Sequence, residues 1–249
     1  MCIFNMKRVL LTLSFNGTAY HGWQIQPNGI TVQEVVQDCI FKVLGEKITI
    51  HGCSRTDAGV HAKTFCCHLD CNDNIPYDAF LRGVNCLLPK DICITDCKAV
   101  ALDFHARYDS KGKTYVYNIY NGNLRNPFKA PFFWEIERPL NIELMNSFCS
   151  TVVGEHDFYG FSSSGRTVKD TVRRVSECFV KQEGNEIRLQ ITANGFLYNM
   201  VRIIVGTAVE VSDGRIPYNC AEEIFSSKKR EIAGITAPPQ GLFLEKVIY

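Results

Sequence analysis

Apolar residues recur at every second position in several short stretches of this chain, and this period of two predicts β-strands. Near the N-terminus, Val9, Leu11, Leu13 and Phe15 follow this pattern, as in a half-buried strand. Similar stretches predict strands at residues 8–15, 47–51, 63–70, 92–100, 113–120, 172–181, 186–193 and 242–248. Gly184-Asn185 is expected to turn a hairpin between two of these strands.

Apolar residues three and four positions apart predict helices between the strands. The stretch "TVQE" predicts a helix start, with Thr31 as N-cap and Glu34 completing a capping box, and Gly45 is expected to end this helix. Asn141 and Gly154 bracket a second helix in the same way. Further helices are expected after "NGFLYN", near Tyr218–Ser227 and between Pro76 and Leu88.

The order of these elements favours an α+β fold with a mainly antiparallel sheet, because the strands are grouped in pairs between helices. A strand, a capped helix and a pair of strands occur before residue 104 and again after residue 112. This crude repeat predicts two halves, residues 1–104 and 105–249, although no linker rich in proline, serine or glycine marks the boundary near Phe104.

Composition is that of an ordinary globular protein, with 46% hydrophobic and 21% charged residues. The 27 basic and 26 acidic residues leave a net charge of +1, which argues against indiscriminate binding of polyanions. Thr12 and Ser14 interrupt the apolar run near the N-terminus, so this run is interpreted as a strand and not as an export signal. No stretch stays apolar for the ~18 residues that a membrane span needs. We therefore expect a cytoplasmic protein without membrane attachment.

The chain has twelve cysteines but no C-x-x-C pair, and free buried thiols are expected in the absence of an export signal. The cluster "CCHLDC" could in principle bind zinc through Cys66, Cys67, His68 and Cys71. It lies in a predicted strand, however, where Cys66 and His68 would face away from Cys67. No metal site is therefore predicted. Neither G-x-G-x-x-G nor G-x-x-x-x-G-K occurs, so no nucleotide phosphate loop is predicted either.

The stretch "GCSRTDAGVHAK", which starts at Gly52, concentrates charged residues around a tight turn. In one interpretation Asp57 is a turn former that bonds to its own backbone, and Arg55 is solvated. In the other, the carboxylate is held rigidly in a pocket and Arg55 is placed for a polyanion. His61, four residues after the aspartate, raises the further hypothesis of acid–base catalysis.

Four other stretches decide between these interpretations: "FNGTAYHGWQIQP", "DFHARYDSKGKTYVYNIYN", "NGFLYNMVRIIVG" and "APPQGLFLEKVIY". Together with "SRTDAGVH", they resemble the tRNA pseudouridine synthase A family, in the right order and from about Lys7 to Tyr249. The family signature is G-R-T-D-A-G-V-H, of which this chain keeps all but the first glycine. Cys53 and Ser54 depart from the small residue and glycine that are usual there, which affects the local backbone and not the chemistry.

The resemblance implies an isomerase that converts uridine to pseudouridine in the tRNA anticodon stem-loop, at positions 38–40. This chemistry is redox-neutral and transfers no phosphate, so neither a cofactor nor a metal is expected. Asp57 matches the catalytic aspartate, the expected nucleophile; whether it attacks C1′ or C6 or removes the 2′-proton stays open. Arg202 matches the arginine that ion-pairs with it, and Tyr115 the tyrosine that packs against uracil. Arg55 matches an arginine that takes the place of the flipped base, or else contacts a phosphate.

The family fold is α+β, with two similar halves whose antiparallel sheets join around a central RNA-binding cleft. Family members are homodimers, which would pool modest basic patches on two subunits. The chemistry does not require His61, which is expected to be structural or to contact RNA. Three alternatives stay open: the same chemistry on another RNA position, an inactive RNA-binding chaperone, and a metal-binding regulator built on the cysteines.

Overall fold

The computed structural model describes residues 5–164 and 169–249, and the chain forms two compact units. The first unit comprises the chain up to Lys111 together with Leu244–Tyr249, and the second comprises Gly112–Phe243. The two functional halves expected at 1–104 and 105–249 stay a prediction.

Eleven of the cysteines are described, all as free thiols, and all but Cys86 and Cys93 are buried, as expected; Cys2 lies outside the described residues.

The regular elements alternate between strands and short helices along the chain. Up to residue 111 they are β1 (Met6–Phe15), α1 (Val32–Leu44), β2 (His51–Gly52), β3 (His61–Asn72), a π-helix (Ala79–Val84) continued by α2 (Asn85–Leu87), and β4 (Ile92–Val100). After it come β5 (Gly112–Tyr120), β6 (Trp134–Glu135), α3 (Ile142–Val152), β7 (Gly154–Asp157), β8 (Val172–Glu183), β9 (Glu186–Ala193), α4 (Met200–Ser212), α5 (Cys220–Ser227) and β10 (Leu242–Ile248). Short 3₁₀ turns lie at Gly17–Ala19, Phe158–Phe161, Arg230–Ile232 and Pro239–Gly241.

The sheet of the first unit has the strand order β4–β1–β3–β10, and β2 also pairs with β3. The central strand β1 is antiparallel to both neighbours, so that Arg8 lies opposite Asp70 on β3 and Val100 on β4. Val9, Leu11 and Leu13 are fully buried, as their spacing predicted. Helix α1 packs against the π-helical segment.

Both predicted ends of α1 are confirmed. The Glu34 N–H donates to the Thr31 side chain over 3.4 Å, and Gly45 ends the helix in the left-handed region with φ of +74°. The strand predicted at 47–51 is wrong, because only His51–Gly52 pairs with β3. Side chains of α1 take the backbone bonds of Ile50 instead: Gln33 Nε2 donates to its carbonyl over 2.9 Å, and its N–H donates to Gln37 Oε1 over 3.0 Å.

The sheet of the second unit has the strand order β5–β9–β8–β7, all antiparallel, with β6 added parallel to β5. The hairpin predicted between β8 and β9 is confirmed, since Glu183 pairs with Glu186 and Gly184 adopts φ of +58°. Helix α3 packs against β8 and α4. Helix α4 is buried on nearly every side, which explains its almost wholly apolar sequence.

Two short strands, β6 and β7, were not predicted. Helix α3 ends at Val152, and Gly154, the expected helix stop, instead begins β7 with φ of +126°. The sequence of β7, "GEHD", contains no apolar residue and so lacks any alternating pattern. The α+β fold with a mainly antiparallel sheet is nevertheless confirmed. No helix in the described ranges is both long and apolar enough to cross a membrane.

Candidate active site

Asp57 lies in a tight turn between β2 and β3. The Val60 N–H donates to the Asp57 carbonyl over 3.2 Å, which closes a four-residue turn. Gly59, the third residue of this turn, adopts φ of +76°, a conformation that glycine reaches without strain. The turn predicted from Asp-Ala-Gly is therefore confirmed.

The backbone on both sides of the aspartate is fixed to the segment that follows β1. The Gly59 N–H donates to the Tyr20 carbonyl over 3.2 Å, and the Trp23 N–H donates to the Thr56 carbonyl over 3.3 Å. Gly22, with φ of +79°, passes so close that a Cβ there would lie 2.2 Å from the Thr56 carbonyl oxygen. This approach requires a glycine, and it ties the catalytic candidate to a second, distant piece of backbone.

An aromatic pair lies beside this turn. Trp23, which is 1% exposed, stacks on Phe65 of β3 with 4.1 Å between ring centroids. A Cβ on Gly52 would lie 2.5 Å from the indole Nε1, so this glycine leaves room for the ring. Gly22 and Gly52 thus allow close contacts around the turn, and a side chain at either position would collide with its neighbour.

The side chains of the turn differ in exposure. Arg55 is exposed to solvent, Asp57 is half-buried, and Thr56 between them is buried. The Thr56 hydroxyl oxygen has no hydrogen-bond partner among the described residues. Asp57 is therefore less exposed than Arg55, and the pocket interpretation of this loop stays a prediction.

His61 is fully buried, and its Nδ1 accepts the Gly17 N–H over 3.0 Å. A ring in this position cannot contact RNA directly, so the structure favours the structural one of the two roles expected for it. Its bond to Gly17 contributes to fixing the segment after β1 beside the turn.

The "CCHLDC" cluster lies on β3, and its members do not form a metal shell. His68 is buried, and its Nδ1 accepts the Ala106 N–H over 3.1 Å. Burial raises the pKa of the Cys66 and Cys67 thiols, which disfavours the thiolate that zinc requires. Within residues 5–164 and 169–249, no group of three His, Cys, Asp or Glu side chains is arranged to hold a metal ion.

In the second unit, Tyr115 lies in the middle of β5, opposite Ile191 of β9. Its side chain is 6% exposed, and Phe196 packs edge-on against its ring with 5.0 Å between centroids. Such edge-to-face contacts fix the orientation of an aromatic ring. Phe196 was missed from sequence as a single residue, although the stretch "NGFLYN" that contains it was singled out.

Arg202 lies in the first turn of α4 and is half-buried. Its Nε donates to the Ala237 carbonyl over 2.7 Å, and its Nη1 donates to Asn199 Oδ1 over 2.9 Å. The Ala237 N–H donates in return to the Arg202 carbonyl over 3.0 Å. The following segment is tied to β5, because the Tyr117 hydroxyl donates to the Pro238 carbonyl over 2.7 Å. The guanidinium is therefore held in one orientation.

The four predicted site residues thus fall into two sets. Arg55 and Asp57 belong to the loop between β2 and β3 of the first unit, and Tyr115 and Arg202 belong to the second unit. The ion pair of Asp57 with Arg202 would join the two sets and stays a prediction. Asn199, which contacts Arg202, was not predicted as a single residue, although it ends the stretch "NGFLYN" that was singled out.

Comparison with known proteins gives a consistent match. The sequence model of a family described as tRNA pseudouridine synthase matches residues 12–109 and 148–249. A protein of Clostridium perfringens named tRNA pseudouridine synthase A 2 is 43% identical over 244 residues, which cover 98% of this chain and all of that protein. The tRNA pseudouridine synthase A of Thermoanaerobacter sp. (strain X514) is 45% identical over the same lengths.

A chain in the crystal structure of a Cbf5–Nop10–Gar1 complex is a more distant match. It is 16% identical, the match covers 81% of this chain and 45% of that one, and the TM-score is 0.35. At this score the likeness supports no argument.

Proposed function

The chain belongs to the tRNA pseudouridine synthase family, and we propose that it isomerises uridine to pseudouridine in the anticodon stem-loop of tRNA, at positions 38–40. The names of the relatives support tRNA as the substrate, and these relatives match this chain over almost its full length. A tRNA substrate would also place the protein in the cytoplasm, the compartment expected from the sequence.

The reaction rearranges the bonds of uridine without any net gain or loss of atoms or electrons. The bond from uracil N1 to ribose C1′ breaks, the base turns, and a bond from C5 to C1′ forms. The hydrogen on C5 leaves to solvent, and N1 gains a proton. One carboxylate that acts on the sugar or the base is sufficient for this chemistry, provided that it is held in place while charge develops at C1′.

The observation that carries the proposal is the fixed turn around Asp57. Its neighbours are bonded to the backbone at Tyr20 and Trp23, so the carboxylate is held on a rigid support and half-buried. A preorganised charge of this kind needs little rearrangement during the reaction. We assign Asp57 as the nucleophile, with Arg202 as its ion-pair partner, which would keep the carboxylate charged and oriented.

Two further side chains would handle the RNA. Tyr115, whose ring is oriented by Phe196, would pack against the target uracil after the base has left the helical stack. Arg55 is exposed on the same loop as the proposed nucleophile, so it would fill the space that the flipped base leaves, or bind a phosphate beside it.

The test of this proposal follows the hydrogen on C5. Transcribed tRNA labelled with tritium at uridine C5 is expected to release tritium into water, with many turnovers and without any added cofactor. Replacement of single uridines in the anticodon stem-loop then identifies the target position. Release that survives the loss of every uridine at positions 38–40 would move the same chemistry to another site in the tRNA.

Asp57→Asn is the decisive variant. Asparagine keeps the size and the turn-forming ability of aspartate but removes the charge, so turnover should be lost while the fold and tRNA affinity stay near those of the wild type. Retained tritium release in the purified variant would remove Asp57 from the mechanism. Tight tRNA binding by the wild-type protein without any tritium release would favour the chaperone alternative.

A further inference from the structure

Asn199 has an unusual place in the backbone. It immediately precedes α4, yet its φ of 60° and ψ of 6° place it in the left-handed region. Residues that begin helices are normally extended, as Thr31 and Asn141 are here with φ of −123° and −90°. The other non-glycine residue with positive φ among those described, Lys228, ends α5, where a left-handed residue is common.

Its side chain also does not do what asparagine usually does at this position. An asparagine before a helix normally accepts a hydrogen bond from a free N–H of the first turn, as Asn141 does from Leu144 over 3.1 Å. Asn199 makes no such bond. Its Oδ1 instead accepts Nη1 of Arg202 over 2.9 Å, and its Nδ2 donates to the Ser163 hydroxyl over 2.9 Å.

Two unfavourable features therefore coincide at Asn199, a strained backbone conformation and a helix start without a side-chain cap. Strained residues of this kind persist where the surroundings require them and cluster at functional sites. Together they place the Asn199 amide against the guanidinium of Arg202, whose Nε is already held by the Ala237 carbonyl. Two bonds at different nitrogens fix both the position and the rotation of a planar guanidinium.

We propose that Asn199 is a positioning residue that orients the Arg202 guanidinium toward the catalytic carboxylate. The inference rests on the proposed function, in which Arg202 pairs with Asp57. Asn199 itself touches neither the substrate nor the aspartate in this scheme; it acts through the arginine.

Asn199→Gly separates this role from a structural one. Glycine adopts a left-handed conformation without strain and no helix cap is lost, whereas the bonds to Arg202 and Ser163 are removed, so these effects oppose each other and the melting temperature should change little. Turnover should fall by about tenfold or more, because the guanidinium loses its hydrogen bond to Asn199 Oδ1. The KM for tRNA should change little. The acid limb of the kcat–pH profile should move to higher pH, because a cation that is no longer held stabilises the charged carboxylate less.

Two variants serve as controls. Lys228→Gly removes the same backbone strain at the end of α5, far along the chain from Arg202, and should leave kcat unchanged. Asn199→Asp keeps an acceptor for the arginine and tolerates the left-handed region, so its kcat should lie closer to the wild type than that of Asn199→Gly.

The outcomes separate this inference from the proposed function. A kcat for Asn199→Gly within about twofold of the wild type or an unchanged acid limb would overturn the positioning role. If Asp57→Asn and Arg202→Met are inactive while Asn199→Gly turns over normally, only the role of Asn199 fails. If Asp57→Asn turns over normally, the proposed function itself fails.

Discussion

At the scale of single residues, the proposed chemistry depends on how a carboxylate and a guanidinium are held. The backbone beside Asp57 is bonded to the segment after β1, and two hydrogen bonds hold the guanidinium of Arg202. Arginine suits this role, because its guanidinium stays charged at any working pH and presents several donors in one plane. A partner with these properties keeps a carboxylate ionised without competing for its proton.

Replacement of Arg202 by methionine tests this pairing. The change removes the charge and the bond to Ala237 but keeps a long apolar side chain, so turnover should fall by about 100-fold or more. The free energy of unfolding should fall by about 2 kcal/mol, less than the ~3–5 kcal/mol of a fully buried pair because Arg202 is only half-buried. Steady-state tritium release and urea denaturation measure the two effects.

Arg82→Met is the matched control, since the Arg82 side chain is 81% exposed and its ion pair with Asp78 is long, at 3.6 Å. Its stability should change by less than about 0.5 kcal/mol and its activity not at all. Equal stability and equal activity of the two variants would mean that Arg202 acts as a surface arginine.

Some of these residues could be predicted from sequence and others could not. The turn at Asp57 follows from Asp-Ala-Gly, whose chemistry is local. The contacts of Asn199 and Phe196 depend on a backbone angle and a ring orientation that only the folded unit defines. A left-handed asparagine has no signature in the sequence, and a phenylalanine in an apolar stretch is ordinarily assigned to the core.

At the scale of elements, strands with long alternating patterns were predicted correctly and short ones were not. Eight to twelve residues of β3, β5, β8 or β9 carry enough alternation to be recognised. The two-residue strands β2 and β6 do not. The segment before β2 was overpredicted, because the amide side chains of α1 supply the hydrogen bonds that a neighbouring strand would otherwise give.

The close approach between the turn and the segment after β1 predicts a sharp effect at Gly22. In Gly22→Ala, the new Cβ would lie 2.2 Å from the Thr56 carbonyl oxygen, so the backbone beside Asp57, the proposed nucleophile, must move. Turnover should fall by at least about tenfold, because displacement of a catalytic group by a fraction of an ångström is costly.

Gly45→Ala provides the control for this effect. Gly45 has a similar φ of +74° at the end of α1, but a Cβ there meets nothing within 4 Å. Both variants share the cost of a left-handed alanine, about 1 kcal/mol, which circular dichroism on heating would detect. Only Gly22→Ala should lose activity in addition to this loss of stability. Equal activity of the two variants would show that the contact with Thr56 is dispensable.

The pairing of β2 with β3 brings His51 next to buried His68, with 4.9 Å between ring centroids, and His105 lies 4.7 Å from His68. Burial, helped by the neighbouring charges of His105, His51 and Arg8, lowers the pKa of His68 to about 4, against a small opposite effect of Asp70. The unfolded chain binds this proton below its ordinary pKa of 6.5. His68 should therefore have almost no effect on the free energy of unfolding at neutral pH, and should lower it progressively as the pH drops from about 6.5 to about 4.

His68→Gln should remove this pH dependence while it keeps an acceptor for the Ala106 N–H. For the wild type, urea denaturation should give a free energy of unfolding about 2–3 kcal/mol lower at pH 4.5 than at pH 7 from this residue. The difference between the two curves isolates the contribution of His68 from that of the carboxylates. Parallel curves for the wild type and His68→Gln would contradict the prediction.

At the scale of the whole molecule, the α+β class could be predicted because antiparallel strands that follow one another in sequence also tend to pair in space. The hairpin of β8 and β9 is the clearest case. Which residues belong to which unit could not be predicted in the same way. The last six residues belong to the first unit, and a strand that returns from the far end of the chain leaves no local signal.

The near-zero net charge has a consequence for tRNA binding. Basic residues exceed acidic ones by a single residue, and many of the described cations are paired, as Arg8 is with Asp70 and Lys129 with Glu186. Arg173 and Arg174 make no ion pair in the described part of the chain. Successive residues of a strand face opposite sides of the sheet, so these two arginines of β8 offer few phosphate contacts on one copy, whereas two copies would present twice as many to one tRNA.

We therefore expect a homodimer at micromolar concentration, which sedimentation velocity would detect as a single species of twice the chain mass. Binding of tRNA should weaken steeply with salt, because each phosphate contact contributes nearly one unit to the slope of log K against log salt. Arg173→Gln with Arg174→Gln should reduce that slope by up to about four in a dimer, two charges on each copy, but only by about two in a monomer. The tritium-release rate at saturating tRNA should stay close to that of the wild type, because neither arginine is assigned to the reacting uridine. A strictly monomeric protein that is fully active, with a slope that falls by two, would contradict the pooled-patch explanation.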